Sequence, residues 1–298
     1  MGVLFLLMVV GFIAAKCGVM TESGNRMITK LVIYIGQPGL TFSSVLAARG
    51  SVGGGAMVGR AFLFSLLLLA VLFLLACAVP VLLRLPPEER GIYRFMAFIT
   101  NSSFLGLPLS QALFGDTGLF YATIFNIPNG MALYSIGVLM VSGKKGEKLD
   151  LKKILNPTLV TSLIALALFF LNVSLPGFIM KTASTLGSIC TPGSMLVLGA
   201  SVGMAAPREV FCDKTSYLFA ACKLLLVPLA VWLVLRNLVH DPVLLNVMLL
   251  MAALPPAAAS TMFAIEYNAN VKAASRNVML STIFCLVTVP LLAILIFA

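Results

Sequence analysis

The sequence predicts an all-α integral membrane protein with ten transmembrane helices, arranged as two inverted five-helix repeats. Three observations support this prediction. Of the 298 residues, 60% are hydrophobic and only 10% are charged, whereas soluble domains carry about 25% charged residues. The apolar residues form ten long runs, and two pairs of helix-breaking motifs recur at one constant offset in the chain.

The ten apolar runs are long enough to cross a hydrocarbon core of about 30 Å, some of them only with tilt or flanking residues. They cover residues 2–17, 28–46, 61–83, 95–114, 119–141, 157–171, 185–204, 217–238, 245–265 and 278–297. No basic residues precede the first run, so we interpret it as a membrane helix and not as a signal peptide.

Segment four contains a polar, helix-breaking stretch at residues 98–108, with the sequence FITNSSFLGLP. Every backbone polar group in hydrocarbon needs a partner, so a broken helix is tolerated only where protein covers it or where it lines a cavity. This stretch is therefore a candidate binding site. Segment five also carries polar and helix-breaking residues in its apolar interior, namely Asn126, Pro128 and Asn129.

A Lys-rich linker at residues 143–155 separates a first repeat (1–142) from a second repeat (156–298). Each repeat holds five segments, and an odd number makes the two repeats inverted in the membrane. IGQPG at 35–39 resembles ICTPG at 189–193, an offset of 154, and the same offset takes Asn101 to Pro255. We therefore expect broken helices four and nine to cross, with their half-helix N-termini at mid-membrane.

The basic residues predict the orientation. Of the 20 Lys and Arg residues, Lys223 lies within segment eight, four lie on one side and the remaining fifteen on the other. The four are Arg49, Arg60, Lys181 and Arg236. Because Lys and Arg accumulate in cytoplasmic loops, this bias places both termini outside and the linker in the cytoplasm.

Composition also argues against several classes of function. The formal charge of +10 lies in short loops, which favours contact with anionic membrane lipid over nucleic acid. The six cysteines are dispersed and the only histidine, His240, lies at the end of a segment, so we expect no disulfide framework, metal site or cofactor. We find no nucleophile with a base and do not expect an enzyme.

The order and spacing of the motifs resemble the auxin efflux carrier family, whose plant members are the PIN-FORMED auxin exporters. The motifs are NSSFLGLPL at 101–109, ALP at 253–255 and AIEYN at 264–268, with Asn156-Pro157, Pro192, Lys223 and Pro228. The resemblance covers nearly the whole chain. Many plant members have a long cytoplasmic loop where this chain has only the short linker, which indicates a bacterial homologue.

The resemblance implies a fold similar to that of bile acid symporters and sodium/proton antiporters. Segments one, two, six and seven would form a scaffold, often dimeric, and segments three to five and eight to ten a transport domain. It further implies an elevator-type carrier of organic anions in the plasma membrane. The substrate would be an auxin-like acid or a dicarboxylate.

The resemblance also implies roles for individual residues. Asn101 matches the asparagine that meets the substrate carboxylate, and Pro255 matches the proline of segment nine. Thr41 and Asn129 fall at or near polar positions of segments two and five. Thr100 replaces a proline, so we expect a softer break, and Pro256 replaces a polar residue, which removes one side-chain ligand.

Two sets of polar residues have alternative interpretations. The Asn101 amide and the Ser102 and Ser103 hydroxyls could hold an anion together with two half-helix N-termini, or they could only satisfy the unwound backbone. Lys223 is a charged residue inside a predicted span, and such residues are candidates for a functional role by default. Lys223 could alternatively snorkel to the cytoplasmic side or pair with Glu266.

No Asp or Glu lies in the middle of a predicted segment. Proton- and sodium-coupled carriers usually place an acidic residue in their pathway, so we expect a uniporter. The alternatives are a sodium- or proton-coupled symporter and, less favoured, an anion channel.

Overall fold

The computed structural model describes residues 2–48, 55–142, 157–205 and 210–295, and all regular structure in these residues is helical. The predicted all-helical fold class is confirmed at this level. The α-helices are α1 (Gly2–Lys16), α2 (Glu22–Leu31), α3 (Gln37–Ala47), α4 (Gly55–Leu82), α5 (Arg90–Phe98), α6 (Leu107–Ala132), α7 (Val138–Ser142), α8 (Pro157–Phe170), α9 (Gly177–Gly187), α10 (Cys190–Met204), α11 (Lys214–Ala221), α12 (Val227–Leu235), α13 (Pro242–Ala253), α14 (Ala259–Glu266) and α15 (Val271–Leu295).

Five helical stretches within the described residues are long and apolar enough to cross a membrane. They are Gly55–Leu82, Ser102–Ser142, Gly177–Met204, Lys214–Leu235 and Val271–Ile294. Three shorter apolar helices are α1, α8 and α13. Ten spans and the inverted repeat stay predictions, and the Lys-rich linker lies outside the described residues.

The longest of these stretches, Ser102–Ser142, contains a kink at Gly115. Gly115 has φ 64° and ψ −154°, a backbone conformation that residues with a Cβ atom rarely adopt. The kink lies between the residues predicted for segments four and five. The stretch therefore consists of two helices and not one straight helix.

Wider π-helical turns precede three of the prolines in the described residues, one of them Pro108, where Ser102–Gly106 leads into α6. Val32–Gly36 leads into α3 with Pro38, and Cys222–Leu226 leads into α12 with Pro228. Proline has no N–H group to donate to the preceding turn, and a π-turn is one way to accommodate this loss inside a helix. The break expected in segment two is thus a local widening of a continuous helical path.

The described residues divide into two compact units. The first unit comprises those within Met1–Phe62, Ser103–Ile127 and Leu155–Ala205, and the second those within Leu63–Ser102, Pro128–Ile154 and Ala206–Ala298. Predicted segments one, two, six and seven belong to the first unit. Segments eight, nine and ten belong to the second unit, as does nearly all of segment three, whereas segments four and five are each divided.

In the first unit, small residues allow helices to approach closely. A Cβ atom added to Gly199 of α10 would overlap the backbone of Met8 in α1, and one added to Gly11 would overlap the backbone of Leu196. Gly203 meets α1 one turn further along, at Phe12. Without a hydrophobic driving force between helices in lipid, such close van der Waals contact is what holds them together.

In the second unit, aromatic side chains fill much of the space around α5. Phe95 stacks on Phe263 of α14 with ring centroids 4.9 Å apart, and Tyr93 meets Phe219 of α11 edge to face at 5.4 Å. Such ring pairs contribute about 0.5–1.5 kcal/mol beyond the area that they bury. α5 is therefore fixed by its neighbours up to the residues where it ends.

Candidate functional site

The helix of segment four is interrupted at Ile99–Asn101. α5 ends at Phe98, Ile99 is extended with φ −89° and ψ 117°, and helical structure resumes at Ser102. The softer break expected from the proline-to-threonine departure stays a prediction. Thr100 lies opposite Pro256 in a single antiparallel bridge, so strand-like pairing takes the place of proline at the break.

The helix of segment nine is interrupted at the matching place. α13 ends at Ala253, Leu254 is extended with φ −71° and ψ 151°, and α14 begins at Ala259. Two successive prolines explain this end, because neither can donate to the helix and each disfavours helical geometry in the residue before it. The local sequence alone thus breaks segment nine.

The two interruptions satisfy each other's backbone. The Asn101 N–H donates to the Pro255 carbonyl at 2.9 Å, and the Ala257 N–H donates to the Ile99 carbonyl at 3.1 Å. Backbone groups that left the helices therefore remain paired, as burial in an apolar medium requires. The sequence offset had predicted the partnership of Asn101 with Pro255.

Several polar side chains at this place remain unpaired. Asn101 is only 4% exposed, and its Nδ2 has no hydrogen-bond partner among the residues that the structure describes. The buried Thr100 hydroxyl likewise has no partner within these residues. Burying an unpaired polar group costs free energy, so a ligand that accepted hydrogen bonds here would recover it.

Asn129 joins this group through Ser102. Its Nδ2 donates to the Ser102 hydroxyl oxygen at 2.8 Å, and both side chains are buried. The structure thus brings together five of the predicted site residues in the second unit. These are Asn101, Ser102, Asn129, Pro255 and Pro256.

Ser103 and Thr41 belong to the first unit. The Ser103 hydroxyl donates to Asn126 Oδ1 at 3.3 Å, a pairing that the sequence did not reveal although it marked Asn126 as polar. Thr41 is buried in α3, where its carbonyl accepts the Ser44 hydroxyl at 3.2 Å. The Ser44 hydroxyl also lies 3.3 Å from the Thr123 hydroxyl.

Lys223 takes neither arrangement expected from the sequence. It is 0% exposed and therefore does not snorkel, and Glu266 lies exposed at the end of α14. The Lys223 ammonium instead donates to the Ala97 carbonyl oxygen at 2.9 Å. Ala97 lies in the last turn of α5, directly before the interruption.

Two contacts in the second unit, an ion pair and a hydrogen bond to a carboxylate, lie outside the predicted segments. Arg276 Nη1 lies 3.1 Å from Asp213 Oδ2, and Asn270 donates to Glu89 at 2.6 Å. Partial burial raises the pKa of Asp213, but hydrogen bonds from Ser216, Thr215 N–H and Arg276 outweigh it and lower the pKa overall. These contacts tie the start of α15 to the starts of α11 and α5.

Comparison with known proteins gives a consistent assignment. The model of the family described as membrane transport protein matches residues 1–293. The chain is 25% identical to an uncharacterized transporter of Methanocaldococcus jannaschii, over 97% of this chain and 95% of the relative. It is 26% identical to one of Methanothermobacter thermautotrophicus (96% and 94%) and 23% identical to the uncharacterized transporter YfdV of Escherichia coli (97% and 94%).

These matches extend over nearly the entire chain and agree with the several apolar, membrane-length helices. They confirm the resemblance to auxin efflux carriers that the sequence motifs predicted and favour a transporter over an enzyme. The chain belongs to the membrane transport protein family and is a multi-pass membrane protein.

Proposed function

We propose that the protein carries a small organic anion, with a carboxylate group bound at the paired interruptions. The observation that supports this most directly is the buried Asn101 amide, whose Nδ2 has no partner in the described part of the chain. An amide nitrogen is a donor, so its natural partner is an acceptor such as a carboxylate oxygen. Candidate substrates are dicarboxylates and auxin-like acids.

The backbone around Asn101 supports an anionic substrate as well. Helical structure begins at Ser102 on one chain segment and at Ala259 on the other, directly after the two bridged stretches. Free N–H groups at a helix N-terminus attract anions without any basic side chain. Thr100, Ser102 and Asn129 add further polar groups to the same part of the second unit, and Pro255 and Pro256 shape its backbone.

An elevator-type movement agrees with the division of the chain. Such a carrier needs one part that moves with the substrate and another that stays fixed in the bilayer. The described residues form two compact units, and the second of them contains both interruptions. Assembly as a homodimer in the plasma membrane, with both termini outside, completes the proposal.

We propose uniport as the mode of transport. In the described residues, no carboxylate lies within the interior of a predicted segment, so an acidic site for a coupling proton or sodium ion is not in evidence there. The alternative is a symporter that holds sodium with carbonyl, Asn and Ser oxygens. A strict requirement for a sodium or pH gradient would favour that alternative, and non-saturating flux with single-channel currents would favour a channel.

The test is uptake of labelled monocarboxylates, dicarboxylates and indole acids into proteoliposomes, with voltage, sodium and pH gradients imposed separately. Wild type should show saturable uptake that responds to voltage. Asn101→Ala should lower uptake of the best substrate by about 10- to 100-fold, because a hydrogen bond to a charged group is worth about 1.5–3 kcal/mol.

The matched control is Asn246→Ala, which removes a half-buried amide from α13, the helix that precedes the interruption of segment nine. It should leave uptake near the wild-type level. Unchanged affinity and rate in Asn101→Ala would refute the assignment of Asn101 to the substrate.

A further inference from the structure

The end of α5 is an unusual electrostatic environment. A helix leaves its last four carbonyl groups without intrahelical partners, and in α5 these belong to Met96, Ala97, Phe98 and the C-cap residue Ile99. The Phe95 carbonyl accepts the Ile99 N–H at 2.9 Å, and this is the last α-helical hydrogen bond before the chain becomes extended at Ile99. The carbonyl end of a helix carries about half a negative charge, and here it is buried inside the protein.

Lys223 supplies the complementary positive charge. Its ammonium lies 2.9 Å from the Ala97 oxygen, and the whole residue is buried. Among the described residues it has no ion-pair partner, because Asp213 pairs with Arg276 and Glu266 is exposed. A cation near the C-terminus of a helix is stabilising, and more so when partly buried.

The location of Lys223 follows from its own helix. It lies in the π-helical turn Cys222–Leu226, directly before Pro228 in α12. Single π-turns inside helices often occur at functional sites. An isolated buried charge is costly unless its surroundings compensate, so placing a lysine rather than an apolar residue at this point calls for a role.

We propose that Lys223 is a built-in cation that replaces a soluble coupling ion. Its ammonium holds the carbonyl end of α5 and thereby positions the Thr100–Asn101 stretch, so that an anion can bind without sodium. Lys223 is a positioning residue in this scheme and does not touch the substrate. This inference rests on the proposed organic-anion transport and adds the reason for its independence of cations.

Three substitutions separate the charge from the volume of the side chain. Lys223→Met keeps the length of the side chain but removes its charge, so uptake should fall at least about tenfold in every salt. A tenfold fall corresponds to a loss of about 1.4 kcal/mol. Lys223→Ala removes the charge and leaves space next to the Ala97 oxygen, a ligand suited to a hard cation. Its uptake should be low in choline chloride and rise several-fold in sodium chloride. Lys223→Arg keeps the charge and should retain more uptake than Lys223→Met.

A binding measurement gives a readout that does not depend on a known substrate. We would follow thermal unfolding of the purified variants in sodium, potassium and choline chloride. An ion that binds only the folded protein stabilises it by an amount that grows with the logarithm of the ion concentration above Kd. Sodium should therefore raise the Tm of Lys223→Ala by several degrees and leave the Tm of wild type and of Lys223→Met nearly unchanged. Lys272→Met, which changes an exposed lysine at the start of α15, is the control for loss of a positive charge.

The outcomes are distinguishable. The built-in cation would be overturned if Lys223→Met took up substrate at the wild-type level. It would also be overturned if sodium affected wild type, Lys223→Ala and Lys223→Met equally. Failure of wild type to carry any organic anion would overturn the proposed function instead, while the sodium-dependent Tm of Lys223→Ala would still report on the cation site. If Lys223→Ala does not fold, the contrast between Lys223→Arg and Lys223→Met decides the role of the charge.

Discussion

The two units differ in what their helices bury. In the first unit, glycines at 11, 199 and 203 bring α1 and α10 into direct backbone contact, and hydroxyl groups such as that of Ser201 bond to carbonyls of their own helix. In the second unit, interrupted helices bury a lysine and an amide nitrogen that has no partner within the described residues. The first unit also buries an amide nitrogen without a partner in the described residues, Nε2 of Gln37, so the second unit is set apart by its buried lysine and its paired interruptions. Close backbone contact favours rigidity, whereas a buried lysine requires a fixed acceptor.

Stability and transport should therefore depend on different residues. Substitutions in the close contacts of the first unit should act on folding. Substitutions among the polar groups of the second unit should act on transport, with small effects on stability. Substitutions of each kind, with matched controls, test whether folding and transport depend on different residues.

The largest effect should come from Gly199→Leu. Even a Cβ at this position would overlap the backbone of Met8, so α1 and α10 must move apart or fail to assemble. Overpacking costs about 1–3 kcal/mol in cores and more where backbone has to shift, so we expect a loss of at least about 3 kcal/mol. The measurement is the yield of monodisperse protein and its Tm in detergent.

The control for this test is Gly59→Leu in α4, also in the first unit, where an added Cβ meets no other atom within 4 Å. It should keep the wild-type yield. Normal stability of Gly199→Leu would contradict the close helix contact described for the first unit.

An intermediate effect, on transport and not on folding, should come from Asn129→Ala. The change removes the 2.8 Å hydrogen bond to Ser102, which lies at the start of the helix after the interruption. A typical hydrogen bond contributes about 1 kcal/mol to stability, so Tm should fall by only a few degrees. Uptake should fall about tenfold, because small misplacements of binding groups have large effects on rate.

Ser135→Ala provides the comparison, since the Ser135 hydroxyl bonds only to the Met131 carbonyl in its own helix. Uptake by this variant should match wild type. We expect Gly199→Leu to unfold the protein and Asn129→Ala to leave it folded. If Asn129→Ala also unfolded it, the assignment of stability and transport to different residues would be wrong.

The smallest effect should be the pH dependence contributed by Asp213. Its folded-state pKa is lowered, so its contribution to stability is fully present above its ordinary pKa of about 3.9 and is lost as pH falls through the lowered value. The carboxylate is partly exposed, so the contribution should be about 1 kcal/mol or less. Tm measured from pH 7 to pH 3 should fall less steeply in Asp213→Asn than in wild type.

The matching change in the first unit is Glu22→Gln. Glu22 forms an exposed pair with Arg26 within α2, with both side chains nearly 80% exposed. Pairs of this kind contribute little, so the acid profile of this variant should follow that of wild type. If Tm depended on pH identically in Asp213→Asn and wild type, Asp213 would not contribute to the stability of the second unit.

Local sequence was sufficient to predict the all-helical class and the break in segment nine. Pro255 and Pro256 cannot continue α13, so the end of that helix follows from covalent structure. The break before Ser102 is different, because Thr100 and Asn101 do not by themselves exclude a helix. The polar composition of residues 98–108 predicted it and the repeat offset and family resemblance supported it, whereas its cause is the bridge to Pro256.

The partner of Lys223 was missed for a similar reason. Hydropathy located the lysine inside segment eight, and general rules for membrane lysines then favoured snorkelling or pairing with Glu266. Its true acceptor is a main-chain carbonyl 126 positions earlier in the chain. Every residue has such a carbonyl, so no side-chain pattern could single out Ala97.

Sequence alone was enough for the all-helical membrane class, the family and the end of α13. The class follows from composition, the family from the order and spacing of short motifs, and the end of α13 from the restricted backbone of proline. Only the tertiary structure decided that Thr100 pairs with Pro256, that Asn129 holds Ser102 and that Lys223 caps α5. These contacts join residues far apart in the chain, and their geometry depends on how whole helices pack.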